Sequence, residues 1–238
     1  MKVHILAIGI HPDDVELSCA GTLIKEIKSG KKVAILDLSE GELGTRGDAD
    51  TRKKEAAAAA EIMGVANRVI LNMRDGFFTY DEAHIRQIVT YIRLFQPEII
   101  LCNAPHDRHP DHGKAGKLLA DAAFYSGLVK IKTHYNSEEQ QVWRPKAVYH
   151  YIQDRFIKPD VVVDVSAEVD AKMDAIMAYS SQFYNPESAE PATPISGKDF
   201  MDFVKAKMRV TGREAGVEYG EGYVVTRIPA IDSLLDLK

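Results

Sequence analysis

Short apolar runs alternate with helical segments along the first half of the chain, and this alternation restricts the possible folds more than any other feature. Each apolar run is a predicted strand, and the amphipathic or alanine-rich segments between the runs are predicted helices. The predicted strands cover residues 3–10, 33–38, 68–71 and 98–102, and the predicted helices cover residues 17–29, 51–63, 81–95 and 112–124. Repeated strand–helix–strand units predict an α/β fold: a Rossmann-like, mostly parallel sheet with helices on both faces, in three layers.

The second half of the chain has a less regular pattern. We expect an irregular stretch at 126–144 and a long loop with three prolines at 184–197, whose length suggests a functional or oligomer-contact role. Strands are predicted at 147–153 and 160–165, helices at 167–180 and 200–212, with Ser166 as the cap of the first, and a candidate strand at 218–223. No repeat or linker divides the sequence. Its 238 residues, 45% of them hydrophobic, therefore predict one domain, residues 1–238.

Composition and charge exclude several classes of function. The formal net charge is -5 with both signs interspersed, which does not fit the basic face of a nucleic-acid binder. The two cysteines, Cys19 and Cys102, lie far apart in the sequence, so a disulfide framework is not expected. We therefore expect the protein to reside in the reducing cytoplasm. We see no charged-then-apolar leader and no apolar run near the roughly 18 to 20 residues of a membrane span. The prediction is a soluble cytoplasmic protein without nucleic-acid or membrane partners.

A first polar cluster, His11-Pro12-Asp13-Asp14-Val15-Glu16, stands where the first predicted strand ends. Ligands of open parallel sheets bind outside the carboxyl ends of the strands, so this cluster is expected at a site-forming edge. An alternative interpretation is a polar turn in which Asp13 or Asp14 caps the next helix. Glu16 has a structural explanation, since a first-turn carboxylate complements the helix dipole.

A second cluster of the same kind, His106-Asp107-Arg108-His109-Pro110-Asp111-His112, follows the fourth predicted strand. Two clusters at one edge of a sheet can converge and offer mixed nitrogen and oxygen ligands, which suit Zn²⁺ in a site with three protein ligands and a water. Such a site also accepts Fe²⁺, Co²⁺ or Mn²⁺. The alternative is that the histidines are solvated loop residues, which better fits the remaining ones, His4, His84, His134 and His150.

Nucleotide binding has little support in the sequence. The glycine-rich loop at 39–47 lacks the spacing and the lysine of a Walker loop, and no G-x-G-x-x-G follows the first strand. A non-enzymatic metal- or nucleotide-binding protein is the alternative from a different class of function.

The paired motifs His11-Pro12-Asp13-Asp14 and His109-Pro110-Asp111-His112 resemble those of the LmbE-like, or PIG-L-like, zinc N-deacetylases. The segment Arg52-Lys53-Lys54-Glu55 is similar to that family's R-x-x-E element, and the resemblance extends through Tyr179-Ser180-Ser181-Gln182-Phe183 and residues 216–223. In these details the chain looks closest to the bacterial branch that deacetylates N-acetylglucosaminyl-malate during bacillithiol biosynthesis.

The resemblance implies a role for each motif residue. His11, Asp14 and His112 would bind zinc, and Asp13 would be the general base that takes a proton from water. His109 would stabilise the oxyanion or protonate the leaving amine, with Asp111 orienting it.

The resemblance also implies zinc-dependent hydrolysis of the N-acetyl group of N-acetylglucosaminyl-L-malate, giving glucosaminyl-malate and acetate. Another N-acetylglucosamine conjugate, or chitobiose, is the alternative substrate. Arg52 and Arg108 are the candidates for binding a substrate carboxylate, because a guanidinium grips a carboxylate bidentately. The alternative is that the two arginines are solvated or form ion pairs with Glu55 or Asp107. Relatives suggest a homo-oligomer such as a hexamer.

Overall fold

The computed structural model describes residues 1–237. The described part of the chain contains nine strands: β1 (Ile5–Gly9), β2 (Val33–Asp37), β3 (Asn67–Ile70), β4 (Ile99–Cys102), β5 (His134–Tyr135), β6 (Glu138–Glu139), β7 (Ala147–Tyr151), β8 (Val161–Asp164) and β9 (Gly220–Val225). Its six α-helices are α1 (Asp14–Lys28), α2 (Ala49–Met63), α3 (Glu82–Phe95), α4 (Pro110–Tyr125), α5 (Val169–Met177) and α6 (Lys198–Glu214).

Seven strands form the central sheet, in the order β3-β2-β1-β4-β7-β9-β8. The first five strands in this order, β3, β2, β1, β4 and β7, are parallel to one another. β9 runs antiparallel to both β7 and β8. The predicted α/β class with a mostly parallel sheet is therefore confirmed. The candidate strand near the end of the sequence exists as β9, which is inserted between two strands that precede it in the chain.

The alternating directions of the side chains along β1 explain why the fold has three layers. Successive side chains of a strand point to opposite faces, so a strand without polar positions is buried on both sides. Leu6 and Ile8 pack into the core formed with α3 and α4. Ile5 and Ala7 pack into the core formed with α1, α2 and α5. Helices therefore cover both faces of the sheet.

Some local predictions differ from the structure. Helix α1 begins at Asp14, three residues earlier than expected, and the stretch at 126–144 contains the short hairpin β5–β6. The prediction that Ser166 caps α5 is wrong. That helix begins at Val169 after Glu168, and the Ser166 hydroxyl donates to Asp164 instead.

A buried ion-pair network ties the start of α1 to the sheet. Arg68 of β3 donates to both carboxylate oxygens of Asp37, at 2.7 and 2.9 Å, and to Glu16. Both carboxylates are fully buried, so each needs this partner. Glu16 is therefore an internal ion-pair partner and not simply a charge near the helix N-terminus.

The sheet order brings the two polar clusters together. β1 lies between β2 and β4, and Ile8 of β1 is level with Cys102 of β4. The chain leaves β1 toward one side of the sheet and returns on the other, which makes this edge a topological switch point. Within residues 1–237, none of the helices is both long and apolar enough to cross a membrane.

Candidate active site

The carboxylate of Asp14 is fixed at the first turn of α1. Its Oδ2 accepts the backbone N–H groups of Ile10 and His11 at 3.0 Å each and the side-chain amide of Asn103 at 2.9 Å. Its Oδ1 accepts the side-chain amide of Gln153 at 3.0 Å and lies 3.1 Å from Nε2 of His112. Burial alone would raise the pKa of Asp14, but His112 and His11 outweigh it and hold the pKa below its usual range. Asp14 is thus a preorganised anion and not a helix cap.

His11 is surrounded by carboxylates. Its Nε2 lies 2.9 Å from Asp75 and 3.5 Å from Asp111, and its Nδ1 lies 3.9 Å from Asp14. Burial lowers the pKa of His11, but the hydrogen bonds to Asp111 and Asp75 and the charges of Asp14 and Asp75 outweigh it and raise the pKa to about 10. So much negative charge in a buried place attracts a cation.

His112 reaches this place from the first turn of α4. Its Nδ1 lies 2.6 Å from Oδ2 of Asp107, which leaves Nε2 directed at Asp14. Burial would lower the pKa of His112, but Asp14 and Asp107 raise it to about 9. A carboxylate on the far ring nitrogen fixes the orientation of metal-binding histidines in many proteins.

His109 and Asp111 lie in the same place but not in the predicted pairing. Nδ1 of His109 accepts the backbone N–H of Asp111 at 3.3 Å. Among the described residues, the Asp111 carboxylate contacts His11, Lys114 and the N–H of Gly76, so it faces His11 and does not orient the His109 ring. Burial and the positive charges of His11 and His112 lower the pKa of His109, which favours its neutral form.

The convergence predicted from the two clusters is present as geometry. One ligand atom from each of His11, His109 and His112 lies within 4.8 Å of the others, and the same holds for His11, Asp75 and Asp111. Mixed imidazole and carboxylate donors of this kind suit a divalent transition metal. The residues present therefore fit a metal ion.

Asp13 stands beside these groups in an unusual backbone conformation. Its φ of 122° is disfavoured for a residue with a side chain, and such strain concentrates at functional sites. Arg52 of α2 donates to its carboxylate at 2.8 Å and to the carbonyl of Pro12. Burial raises the pKa of Asp13 to about 7, with Asp14 acting in the same direction and Arg52 opposing it.

A glycine makes room for that arginine. Gly41 has a φ of 66°, and a Cβ at this position would lie 2.0 Å from Nη1 of Arg52. The glycine-rich loop therefore packs directly against the guanidinium. Arg52 is 4% exposed and forms an ion pair with Asp13, so its guanidinium is not free to bind a substrate anion. The expected alternative partner, Glu55, is not the one that the structure shows.

Arg108 lies at the exposed rim of the site and forms an ion pair with Asp154. The expected alternative partner, Asp107, is bound to His112 instead. Both predicted substrate arginines line a cleft of about 350 Å³ that opens from the histidines toward α6 and β9. That volume lies within the range of small-molecule sites.

The sequence analysis gave no role in the site to four residues: Asp75, Asn103, Gln153 and, although it belongs to the second cluster, Asp107. Three of them follow strands of the sheet, so the strand-end rule used for His11 could have found them. Asp75 is the exception, because the stretch after β3 shows no cluster and an Asp-Gly pair is typical of a turn.

The fold and the cluster together define a class: an α/β protein with a His/carboxylate metal site at a topological switch point. Residues 6–123 match the family model PIG-L, GlcNAc-PI de-N-acetylase. The chain is 32% identical over 189 residues to the diacetylchitobiose deacetylase of Thermococcus kodakarensis, covering 75% of this chain and 70% of that protein. The chain belongs to the PIG-L/LmbE family, and it is an N-deacetylase, that is, an amidohydrolase.

Two further comparisons agree with this membership. The probable N-acetyl-alpha-D-glucosaminyl L-malate deacetylase 2 of Bacillus cereus is 27% identical over 195 residues, covering 76% of this chain and 84% of that protein. The crystal structure of the conserved protein TT1542 from Thermus thermophilus superposes with a TM-score of 0.86 at 29% identity, covering 98% of each chain. The resemblance to the LmbE-like, or PIG-L-like, family that the motifs predicted is confirmed, and the non-enzymatic alternative is not supported.

Proposed function

We propose that this protein hydrolyses the N-acetyl group of an N-acetylglucosamine conjugate with a zinc ion held by His11, Asp14 and His112. The observation that carries the proposal is the approach of Asp14 to both histidines, 3.1 Å to His112 and 3.9 Å to His11. When bound, the ion supplies Lewis-acid polarisation and lowers the pKa of a water from about 15.7 to about 7. Every other step uses side chains of this chain.

Asp13 is the proposed general base. Its neighbour Asp14 is fixed by several donors, whereas Asp13 makes its ion pair with Arg52 through one oxygen. A pKa near the working pH suits a base, and burial brings the pKa of Asp13 into that range. Asp13 takes a proton as the water oxygen bonds to the acetyl carbon.

His109 is the proposed hydrogen-bond donor to the oxyanion. Its Nδ1 accepts a backbone N–H, so a neutral ring carries its proton on Nε2 and can donate a hydrogen bond with it. The proton that Asp13 took from the water passes to the nitrogen as the C–N bond breaks, and the products are a free amine and acetic acid, which ionises to acetate. Loss of one oxyanion donor typically costs about 2.7 to 4 kcal/mol of transition-state stabilisation. In this scheme Asp111 holds the ring of His11, 3.5 Å away, and not that of His109.

Two substrates are candidates. The first is N-acetylglucosaminyl-L-malate in bacillithiol biosynthesis, supported by the similarity to the Bacillus cereus protein over most of both chains. The second is diacetylchitobiose, supported by the higher identity to the Thermococcus kodakarensis protein. Residues 1–238 would act as one catalytic domain in the cytoplasm, as a homo-oligomer whose size sedimentation would measure.

Acetate release from both substrates tests the function. We expect the zinc-loaded protein to deacetylate the malate conjugate with the higher kcat/KM and to lose activity on chelation. Deacetylation of chitobiose alone would favour the second candidate. Absence of acetate from both conjugates and from further N-acetylglucosamine conjugates would contradict the proposal.

A further inference from the structure

The cleft has a second end, away from the histidines, that no step of the proposed reaction uses. One wall of this end is helix α6, which contributes Phe200, Phe203, Val204 and Met208. The lining also includes Gly220 and Gly222 of β9, where a Cβ would meet Val162 and Pro159 respectively. An apolar wall such as that of α6 can hold the group attached to the acetamido sugar.

Four lysines and arginines among the described residues line the cleft, and three of them have a carboxylate partner. Arg52 pairs with Asp13, Arg108 with Asp154, and the 1% exposed Lys172 lies 2.6 Å from Glu221. The other two carboxylates of the cleft lining, Asp14 and Asp75, contact His112 and His11, and the nearby Asp107 is bound to His112.

Lys207 of α6 is the fourth cation, and its hydrogen bonds go to neutral groups. Its Nζ donates to the backbone carbonyls of Ile152, at 2.9 Å, and Gln153. An ammonium has three donors, so one is left for a ligand. Burial and the positive charge of Lys172 lower the pKa of Lys207 to about 8, although the more distant charges of Asp107, Asp154 and Glu221 act in the opposite direction. An anion in the cleft would relieve both effects.

Resting on the proposed function, we propose that Lys207 is a specificity-determining residue that binds a carboxylate on the group attached to the acetamido sugar. The apolar side chains of α6 cover the remainder of that group. A carboxylate fits better than a phosphate because Lys207 is the one cleft cation without an anionic partner: it can pair with one carboxylate of the attached group, whereas both charges of a phosphate dianion would fall on that single ammonium. This assigns to Lys207 the role that the sequence suggested for Arg52 and Arg108.

Binding of the deacetylated product tests the inference without relying on turnover. Calorimetry would compare glucosaminyl-malate with its neutral diamide, which has nearly the same size, on the zinc-loaded protein. We expect the wild type to bind the diacid roughly ten- to a hundredfold more tightly, as for a hydrogen bond between charged groups. K207M should lose that preference, and K207R should retain most of it.

The control is K205M, which removes an exposed lysine of the same helix and should leave the preference unchanged. If K207M does not fold, K207Q removes the charge while keeping N–H donors for the two carbonyls, and it should also lose the preference. A wild type without preference, including one that binds neither ligand, would overturn the inference. So would a preference that survives in K207M or K207Q.

Acetate release measured on the same preparations separates this inference from the proposed function. A preference for the diacid without acetate release from the malate conjugate, from chitobiose or from further N-acetylglucosamine conjugates would refute the function and support the anion site. Turnover without the preference would refute the anion site alone.

Discussion

The hydrogen bond from His112 to Asp107 allows a sharp test of the metal site. Asp107 uses one oxygen for Nδ1 of His112, at 2.6 Å, and the other for the backbone N–H of Arg155, at 2.7 Å. In D107N the carbonyl oxygen can still accept from Arg155, which places an N–H donor against Nδ1 of His112. The substitution thus preserves the local fold and opposes the tautomer in which Nε2 is free to bind a metal.

The expected loss follows from the role of such carboxylates. Removing the partner of a ligating histidine typically lowers metal affinity by about 10- to 100-fold. This equals roughly 1.4 to 2.7 kcal/mol of binding free energy. Asp107 and Asp14 together hold the pKa of His112 at about 9 against the effect of burial, so the ring also becomes less basic without Asp107.

Zinc titration of the apo protein in competition with a chromogenic chelator measures this change. We expect the dissociation constant of D107N to rise by that factor and excess zinc to restore activity. The control is D121N, since Asp121 pairs with Lys117 at the surface of the same helix, α4. An unchanged dissociation constant in D107N, or an equal rise in D121N, would refute the assignment of His112 as a ligand held by Asp107.

Three further substitutions have defined outcomes. D13N should keep its metal content by elemental analysis while kcat falls by about 10²- to 10⁴-fold, and full activity would contradict the assignment of the base. R68M leaves two buried carboxylates unpaired and should lower the free energy of unfolding in urea by about 3 to 5 kcal/mol, whereas R86M breaks an exposed pair and should change it little; equal losses would contradict the argument. G41A should lower kcat/KM because its Cβ displaces the guanidinium that holds Asp13. G30A is the control: Gly30 has a φ of 84° and open space around it, so the substitution strains only the backbone and should leave kcat/KM unchanged. Equal activity of the two glycine variants would exclude the displacement.

The sheet and the first site residues were predictable because local patterns encode them. The apolar run that becomes β1 has no polar position, which requires burial on both faces. The polar groups that follow β1 and β4 then meet because neighbouring parallel strands end together. This brings the segments that carry His11, Asp14 and His112 near one another.

The remaining features depend on tertiary contacts that no local pattern encodes. Asp75 reaches His11 only through the path of the loop after β3. The carboxylate of Asp111 turns to His11 because the N–H of Gly76 holds it there. Strand β9 contains two glycines, which usually weaken a strand, and its place between β7 and β8 is set by packing.

The position of β9 has a consequence for the order in which this chain can fold. β7 and β8 do not pair with each other, because β9 lies between them. Both strands therefore have unpaired backbone N–H and C=O groups along one edge until Gly220–Val225 has been synthesised. Glu221 arrives with that strand and accepts the N–H groups of Gly21 and Thr22, about two hundred residues upstream. A nascent chain on the ribosome thus carries its histidine cluster before it carries the strand that closes the sheet and completes the lining of the cleft.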